Sequence, residues 1–360
     1  MPERKERAKY FHLPGGCGFD FALRTRVIFG EGALSRLGDE IKGLGARKVL
    51  IVTSKSMPDR EPVRAALAAL DPAGIHYVLF SSVPPEPTLE DVNACREFAR
   101  GSGPDLMVGF GGGSAMDVAK IVAAELKLPR IMVPTTAGSG SEVTCNSVIM
   151  VEGRKKSFSD PRLAADVALV DPDLLATLPA AGLVPPAMDA MSHAMESYGS
   201  KKANEIVRAI ALEGYLLIKS GIKSAVMGNA GSRRDISLGS LMAGMALSNT
   251  GTTLGHALAN SLSKYGMPHG QALALILPYL MKVNRFDAGY AAQIKSLRLK
   301  YCTFPVIAWN IPEMAAEVAA DDRHLNNNPR PVTLEEITRI YEGIRRETSS
   351  ASRGHGSASH

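Results

Sequence analysis

Asp189 and His193 stand four residues apart in Met188-Asp189-Ala190-Met191-Ser192-His193. On a helix that spacing sends both side chains out of one face, which a shared metal ion needs. Histidine is scarce, at eight in 360 residues. His256 follows Gly251-Thr252-Thr253-Leu254-Gly255 at a predicted helix start, and His269 sits in Pro268-His269-Gly270 at another. One carboxylate and three imidazoles suit a first-row divalent ion that keeps a position open for substrate. The same residues also have plainer readings. An Asp–His pair at i, i+4 fits a surface contact, and a lone buried histidine fits a hydrogen-bonded core. Glu196, three residues past His193, fits a cap or a solvated face. Spacing alone leaves these readings open.

Two glycine-rich segments carry a second chemistry. Gly111-Gly112-Gly113-Ser114 follows a predicted strand and opens a predicted helix. Glycines let backbone approach a ligand, and a helix N-terminus offers free N–H groups and a positive dipole end, a combination suited to a pyrophosphate. A tight turn with Ser114 as N-cap is the plainer reading. Asp117 and Lys120, three apart on that helix, are either a surface pair or a brace behind the loop. The second segment runs Pro134-Thr135-Thr136-Ala137-Gly138-Ser139-Gly140-Ser141-Glu142-Val143-Thr144 and alternates hydroxyls with glycines. Two such loops at the ends of neighbouring parallel strands make a nucleotide crevice. Neither is Gly-x-Gly-x-x-Gly or a P-loop, and Gly-x-Ser-x-Gly is absent at 138–142.

Positioning these groups requires strands ahead of the loops and helices under the histidines. Short apolar runs at 48–52, 76–80, 105–110, 130–134 and 166–170 read as strands, with helices predicted over 61–70, 89–101 and 115–126. That alternation predicts a parallel sheet covered on both faces. Beyond about 180 the chain reads as helices only, at 188–199, 203–220, 234–248, 253–263, 270–284 and 333–346. The expected organisation is an α/β dinucleotide-binding domain over 1–182, an all-helical metal-binding domain over 183–346, and a small, polar, disordered tail over 347–360. A site between two such halves is common.

Composition excludes several alternatives. Hydrophobic residues at 45% and charged residues at 21% fit a globular enzyme and not a disordered chain. Aromatics at 6% and a net charge of +5 supply neither stacking surface nor footprint for nucleic acid. The basic run Arg4, Lys5, Arg7, Lys9 reads as a solvated tail, with no signal-peptide core. No run of about 18 apolar residues predicts a membrane span. Four scattered cysteines (Cys17, Cys95, Cys145, Cys302) fit reduced thiols and a cytoplasmic protein.

Taken together, the motifs resemble the iron-containing (group III) alcohol dehydrogenase family over nearly the whole chain. The resemblance rests on Val27–Leu34, GGGSAMDVAK (111–120), PTTAGSGSEVT (134–144), DPRL and VALVDPDLLATLP (160–179), MDAMSHAMESY (188–198), MPHGQALALILPYLMKVN (267–284) and NNPRPVT (327–333). It implies a dehydroquinate-synthase-like fold of two domains, with the active site between them. It implies a divalent metal, iron in the cell with zinc or nickel as substitutes, on Asp189, His193, His256 and His269. It implies NAD or NADP on Gly111, Gly112, Gly113, Ser114, Thr135, Thr136, Ser139, Ser141, Lys156 and Leu178. The implied reaction moves a hydride between that cofactor and a small alcohol or aldehyde. A metal-free reductase like maleylacetate reductases, or a lyase like dehydroquinate synthase, is the alternative in the same superfamily. The implied assembly is a homodimer or larger homo-oligomer.

Three positions depart from the family pattern. Asn260 replaces a histidine four residues after His256, so an imidazole proton relay is missing there. Ala187 replaces a glycine before Met188-Asp189, and Tyr279 replaces a histidine after Pro278. Cofactor choice turns on the residue after Val52-Thr53. NAD-specific members carry Asp there, which repels a 2′-phosphate; here it is Ser54, followed by Lys55. NADPH is therefore expected to be accepted and preferred.

Overall fold

The computed structural model describes residues 18–61 and 63–354. The basic N-terminal run and residues 355–360 of the polar tail lie outside them. The described chain has eight strands: β1 (Arg26–Phe29), β2 (Lys48–Val52), β3 (His76–Phe80), β4 (Leu106–Gly111), β5 (Arg130–Pro134), β6 (Asn146–Val151), β7 (Arg154–Ser159) and β8 (Val167–Val170). Six form one parallel sheet in the order β1-β8-β5-β4-β2-β3. The first four helices are α1 (Leu37–Gly43), α2 (Val63–Ala68), α3 (Leu89–Ser102) and α4 (Gly113–Leu126).

Alternation along the strands covers both faces. Val49, Ile51, Val108, Phe110, Ile131 and Val133 enter one core with Leu37 and Ile41. Leu50, Val52, Met107 and Met132 enter the other, beneath Val92 and Cys95 of α3 and Val118 and Val122 of α4. Runs that are apolar at every position are the mark of such doubly buried strands. β6 and β7 form an antiparallel ribbon outside that sheet. Its sequence sets a short apolar run in NSVIMV against the charged, mostly polar strand RKKSFS. It and the four-residue β1 are absent from the strands predicted above.

Beyond Val170 the described residues hold no strand. The helices are α5 (Ala180–Gly199), α6 (Glu205–Ala225), α7 (Ala230–Thr250), α8 (Leu254–Lys264), α9 (His269–Val283), α10 (Ala291–Tyr301), α11 (Ile311–Ala319), α12 (Asp322–Leu325) and α13 (Leu334–Gly354). α13 runs past the expected end at 346, so part of the polar tail is helical. α5 is the central helix, packed against α6, α7 and α9. Every residue from Ala187 to Tyr198 is buried, because a helix surrounded by helices has no solvent face. The connection from sheet to helices is tied down by Arg233 of α7, which donates to the carbonyls of Leu175, Ala176 and Leu178. Among the described residues no helix is long and apolar enough to cross a membrane.

Candidate metal and nucleotide site

Three helix positions converge on one carboxylate. Asp189 and His193 share a face of α5, His256 lies in the first turn of α8, and His269 opens α9. His193 Nε2 lies 3.4 Å from Asp189 Oδ1, His256 Nε2 lies 3.5 Å from it, and His269 Nε2 lies 3.9 Å from it. Ligand atoms of Asp189, His256 and His269 all fall within 4.8 Å of one another. The His193 ring stacks on His256 at 4.6 Å. Metal bonds of about 2.1 Å at tetrahedral angles space their ligand atoms by about 3.4 Å. Asp189 Oδ1 and His256 Nε2 are buried with no hydrogen-bond partner. Two buried polar atoms facing one point without a hydrogen-bond partner are costly unless something satisfies both, and a divalent cation does. The residues present therefore fit the metal that the resemblance implies.

The outer nitrogens are held as a metal site requires. His193 Nδ1 lies 3.1 Å from the Gly138 carbonyl, and His256 Nδ1 lies 2.7 Å from Glu196 Oε1. Nδ1–H donation in both rings leaves each Nε2 facing Asp189, able to ligate once it carries no proton. Glu196 is buried, which excludes the solvated-face reading. Burial works against its charge, but His256, Ser192 and Thr253 hold its carboxyl down at about 2. Burial likewise opposes ionisation of Asp189, and the three imidazoles outweigh it, holding that carboxyl well below the usual range. Burial disfavours an imidazolium at His256 too, yet Glu196 and Asp189 push the ring up to about 9. A cation entering the site thus displaces a proton from His256. Burial pushes His193 and His269 down, the latter helped by the Lys155 ammonium.

The glycine loops sit side by side at the carboxyl edge of the sheet, where Gly111 pairs with Pro134. α4 begins at Gly113 with Gly112 as its N-cap, and no side chain caps it. Ser114 is therefore in the first turn and is not the cap, and the first N–H groups face outward for a ligand. Thr135 is buried with an unpartnered hydroxyl, while Thr136 and Ser139 are half-buried. Thr53, missed in the sequence reading, donates its hydroxyl to the Phe110 carbonyl at 2.6 Å and braces the loop from β2. Ser54 follows it, half-buried, and Lys55 is exposed.

Several expected cofactor positions also make contacts of their own. The Ser141 hydroxyl donates to Asp117 Oδ1 at 2.5 Å, so it holds the loop. Leu178 packs in the helical core and gives its carbonyl to Arg233. Lys156 is exposed, with its ammonium 5.5 Å from the Phe158 ring centroid. Side chains alternate along a strand, so its neighbour Lys155 faces the other way. Lys155 is only 12% exposed, pairs with Glu86 at 2.8 Å and is felt electrostatically at His269. Asp117 and Lys120 are buried and brace the loop from behind, which excludes the surface-pair reading. The loop glycines meet the helical half directly. A Cβ on Gly138 would lie 2.8 Å from the Pro186 carbonyl oxygen, and one on Gly140 would lie 2.6 Å from Gly244 Cα.

The departing residues spare the ligands. Tyr279 donates its hydroxyl to Glu347 at 2.8 Å and lies against Gly343 of α13. Ala187 is fully buried, and Asn260 is half-buried one turn beyond His256. Asn327 of the NNPRPVT stretch donates to the carbonyls of Thr250 and Thr252, fixing the turn that launches α8.

Comparison with known proteins gives the family. Residues 24–172 match the family model for iron-containing alcohol dehydrogenase, and residues 184–301 match that for the C-terminal part of the Fe-containing alcohol dehydrogenase family. The chain is 36% identical to long-chain-alcohol dehydrogenase 1 of Geobacillus thermodenitrificans (strain NG80-2), over 88% of this chain and 96% of that one. The solved iron-containing alcohol dehydrogenase of Thermotoga maritima superposes with a TM-score of 0.83 at 32% identity, covering 91% of this chain and 99% of that one. Sulfoacetaldehyde reductase from Bifidobacterium kashiwanohense, solved in complex with NAD+, gives 0.84 at 27% identity over 91% and 99%. Two family models nearly end to end, and a relative matched along almost its whole length, place this chain in the iron-containing alcohol dehydrogenase family.

Proposed function

We propose that the protein is an NAD(P)-dependent alcohol dehydrogenase that moves a hydride between the nicotinamide and a small alcohol or aldehyde, with a divalent cation held by Asp189, His193, His256 and His269. The observation that carries this is the pair of buried polar atoms without a hydrogen-bond partner, Asp189 Oδ1 and His256 Nε2, among three imidazoles. Iron is the ion expected in the cell. When bound, a divalent cation supplies Lewis acidity toward the alcohol or carbonyl oxygen. Asp189 contributes one negative charge, and neutral imidazoles at the other positions keep the site electrophilic. The Gly111–Ser114 and Thr135–Ser139 segments position the cofactor, whose ring carries the redox step. Lys155, facing inward where Lys156 does not, is the lysine we assign to the cofactor side. Asn260 cannot relay a proton as an imidazole does, so the proton would have to leave the site by another route. The test is metal analysis of the purified protein with an alcohol and aldehyde panel, following NAD(P)H. Activity that survives a strong chelator, or the absence of net cofactor turnover, would overturn the proposal.

For the cofactor we propose a preference for NADPH. Ser54 follows β2 at the sheet edge beside the glycine loop, carries no charge to repel a 2′-phosphate, and can donate to it. Like charges about 4 Å apart at an effective dielectric near 20 repel by about 4 kcal/mol before screening. Ser54→Asp is therefore expected to shift kcat/KM toward NADH by ~10–100-fold. A wild-type enzyme that already prefers NADH with the same aldehyde contradicts the assignment.

We also propose a cytoplasmic homo-oligomer, a dimer or larger, with the domain boundary near 182. Light scattering is expected to report at least twice the chain mass of 38.3 kDa. A monomeric particle at working concentration would refute it.

A further inference from the structure

Glu196 touches both the helix that carries His256 and the ring itself. Its carboxylate is fully buried on α5 and accepts four hydrogen bonds. Oε2 takes the Thr253 backbone N–H at 2.6 Å and the Thr253 hydroxyl at 2.8 Å. Thr253 precedes the first residue of α8 and makes no side-chain cap of its own. Oε2 therefore holds the N-cap residue, as the carboxylate of a capping box does, and fixes where α8 begins, two residues before His256. Oε1 takes the Ser192 hydroxyl at 2.7 Å and the His256 Nδ1–H at 2.7 Å. Room for this oxygen depends on Gly255, where a Cβ would lie 2.6 Å from it.

We propose that Glu196 is a positioning residue for the metal site: Oε1 sets the His256 tautomer that can ligate, and Oε2 holds the helix start that carries the ring. This rests on the reading of Asp189, His193, His256 and His269 as a cation site. Glu196→Gln separates the two tasks. The amide oxygen keeps the Thr253 bonds, because an NH₂ group there would face a donor. The NH₂ group then faces Nδ1, which must accept. The ring proton moves to Nε2, where it blocks the lone pair that a metal needs.

The experiment titrates Zn²⁺ into chelator-stripped full-length protein and melts the metal-free form. Glu196→Gln is expected to weaken Zn²⁺ binding by about 10–100-fold, with the metal-free melting temperature close to wild type. Wild-type Zn²⁺ affinity in Glu196→Gln overturns the proposal and leaves Glu196 a cap only. Should that variant fail to fold, Gly255→Ala displaces the same oxygen, and unchanged Zn²⁺ affinity there overturns the proposal equally. His269→Ala, measured in parallel, reads the site itself. If His269→Ala binds Zn²⁺ as wild type does, the four-ligand reading falls, and this inference falls with it.

Discussion

Replacing His269 with alanine is expected to strip the cation and lower kcat by about 10³-fold or more while leaving the fold in place. His269 occupies the first position of α9, and its side chain is 26% exposed. It adds little to the core, so its removal leaves no large cavity. Its Nε2 lies 3.9 Å from Asp189 Oδ1, and no helix-capping bond depends on it, because Pro268 is the N-cap. The loss therefore falls on the cation site. Lewis-acid stabilisation is worth several kcal/mol, and each 1.36 kcal/mol is about tenfold in rate, which sets the magnitude. Metal content per chain, kcat with one aldehyde, and the melting temperature together check it. A variant that retains both metal and full turnover shows that the ligand set is wrong.

Replacing Lys120 with methionine is expected to be the most destabilising change in the α/β half, at about 3–5 kcal/mol. The Lys120 ammonium has no exposed surface. It donates to the Ser141 carbonyl at 2.9 Å, to the Thr144 carbonyl at 3.4 Å and to the Asn146 carbonyl, and it lies 3.4 Å from Asp117 Oδ1. Burial pulls its pKa below the ordinary lysine range, against the pull of Asp117. Methionine keeps most of the length and removes every donor. Three carbonyls lose a partner, and Asp117 becomes a buried charge without its counter-ion. These losses overlap, so they do not sum. At about 2–4 °C per kcal/mol for a protein of this size, the melting temperature should fall by roughly 10 °C. The loop also carries the Gly138 carbonyl that orients His193, so cofactor and metal affinities should weaken together. A shift of only a degree or two in melting would show that the brace contributes little.

The order of strands and helices was legible because doubly buried strands and buried helices differ in period and length. KVLIV at 48–52 and HYVLF at 76–80 coincide with β2 and β3. β6 and β7 were not legible, because the apolar run of β6 is only four residues long and its partner β7 is charged and mostly polar. The helices 291–301 and 311–319 were missed as well. α10 alternates charged and apolar residues without a clear stripe, and α11 has only nine residues. Scarce histidine and one pair at helical spacing singled out candidate ligands, but spacing left their plainer readings open, and the set of four came from the family resemblance.

The sequence by itself determined which groups are available: a carboxylate and three imidazoles on helix starts and a helix face, and two glycine-rich turns after apolar strands. Those follow from local spacing, which the chain carries without reference to any partner. Burial and direction were decided by the tertiary structure. Glu196 and Lys120 look like surface residues in the chain, and only the packing of α5 among helices and of α4 beneath the 138–146 loop removes their solvent. Lys155 and Lys156 are adjacent and chemically equal, and the pairing of β6 with β7 decides which one faces inward. Gly138 and Gly140 read as cofactor glycines, whereas their missing side chains admit Pro186 and Gly244 from the other half. The reason is common to all of these: what a side chain meets depends on elements far away in sequence, and spacing holds no record of them.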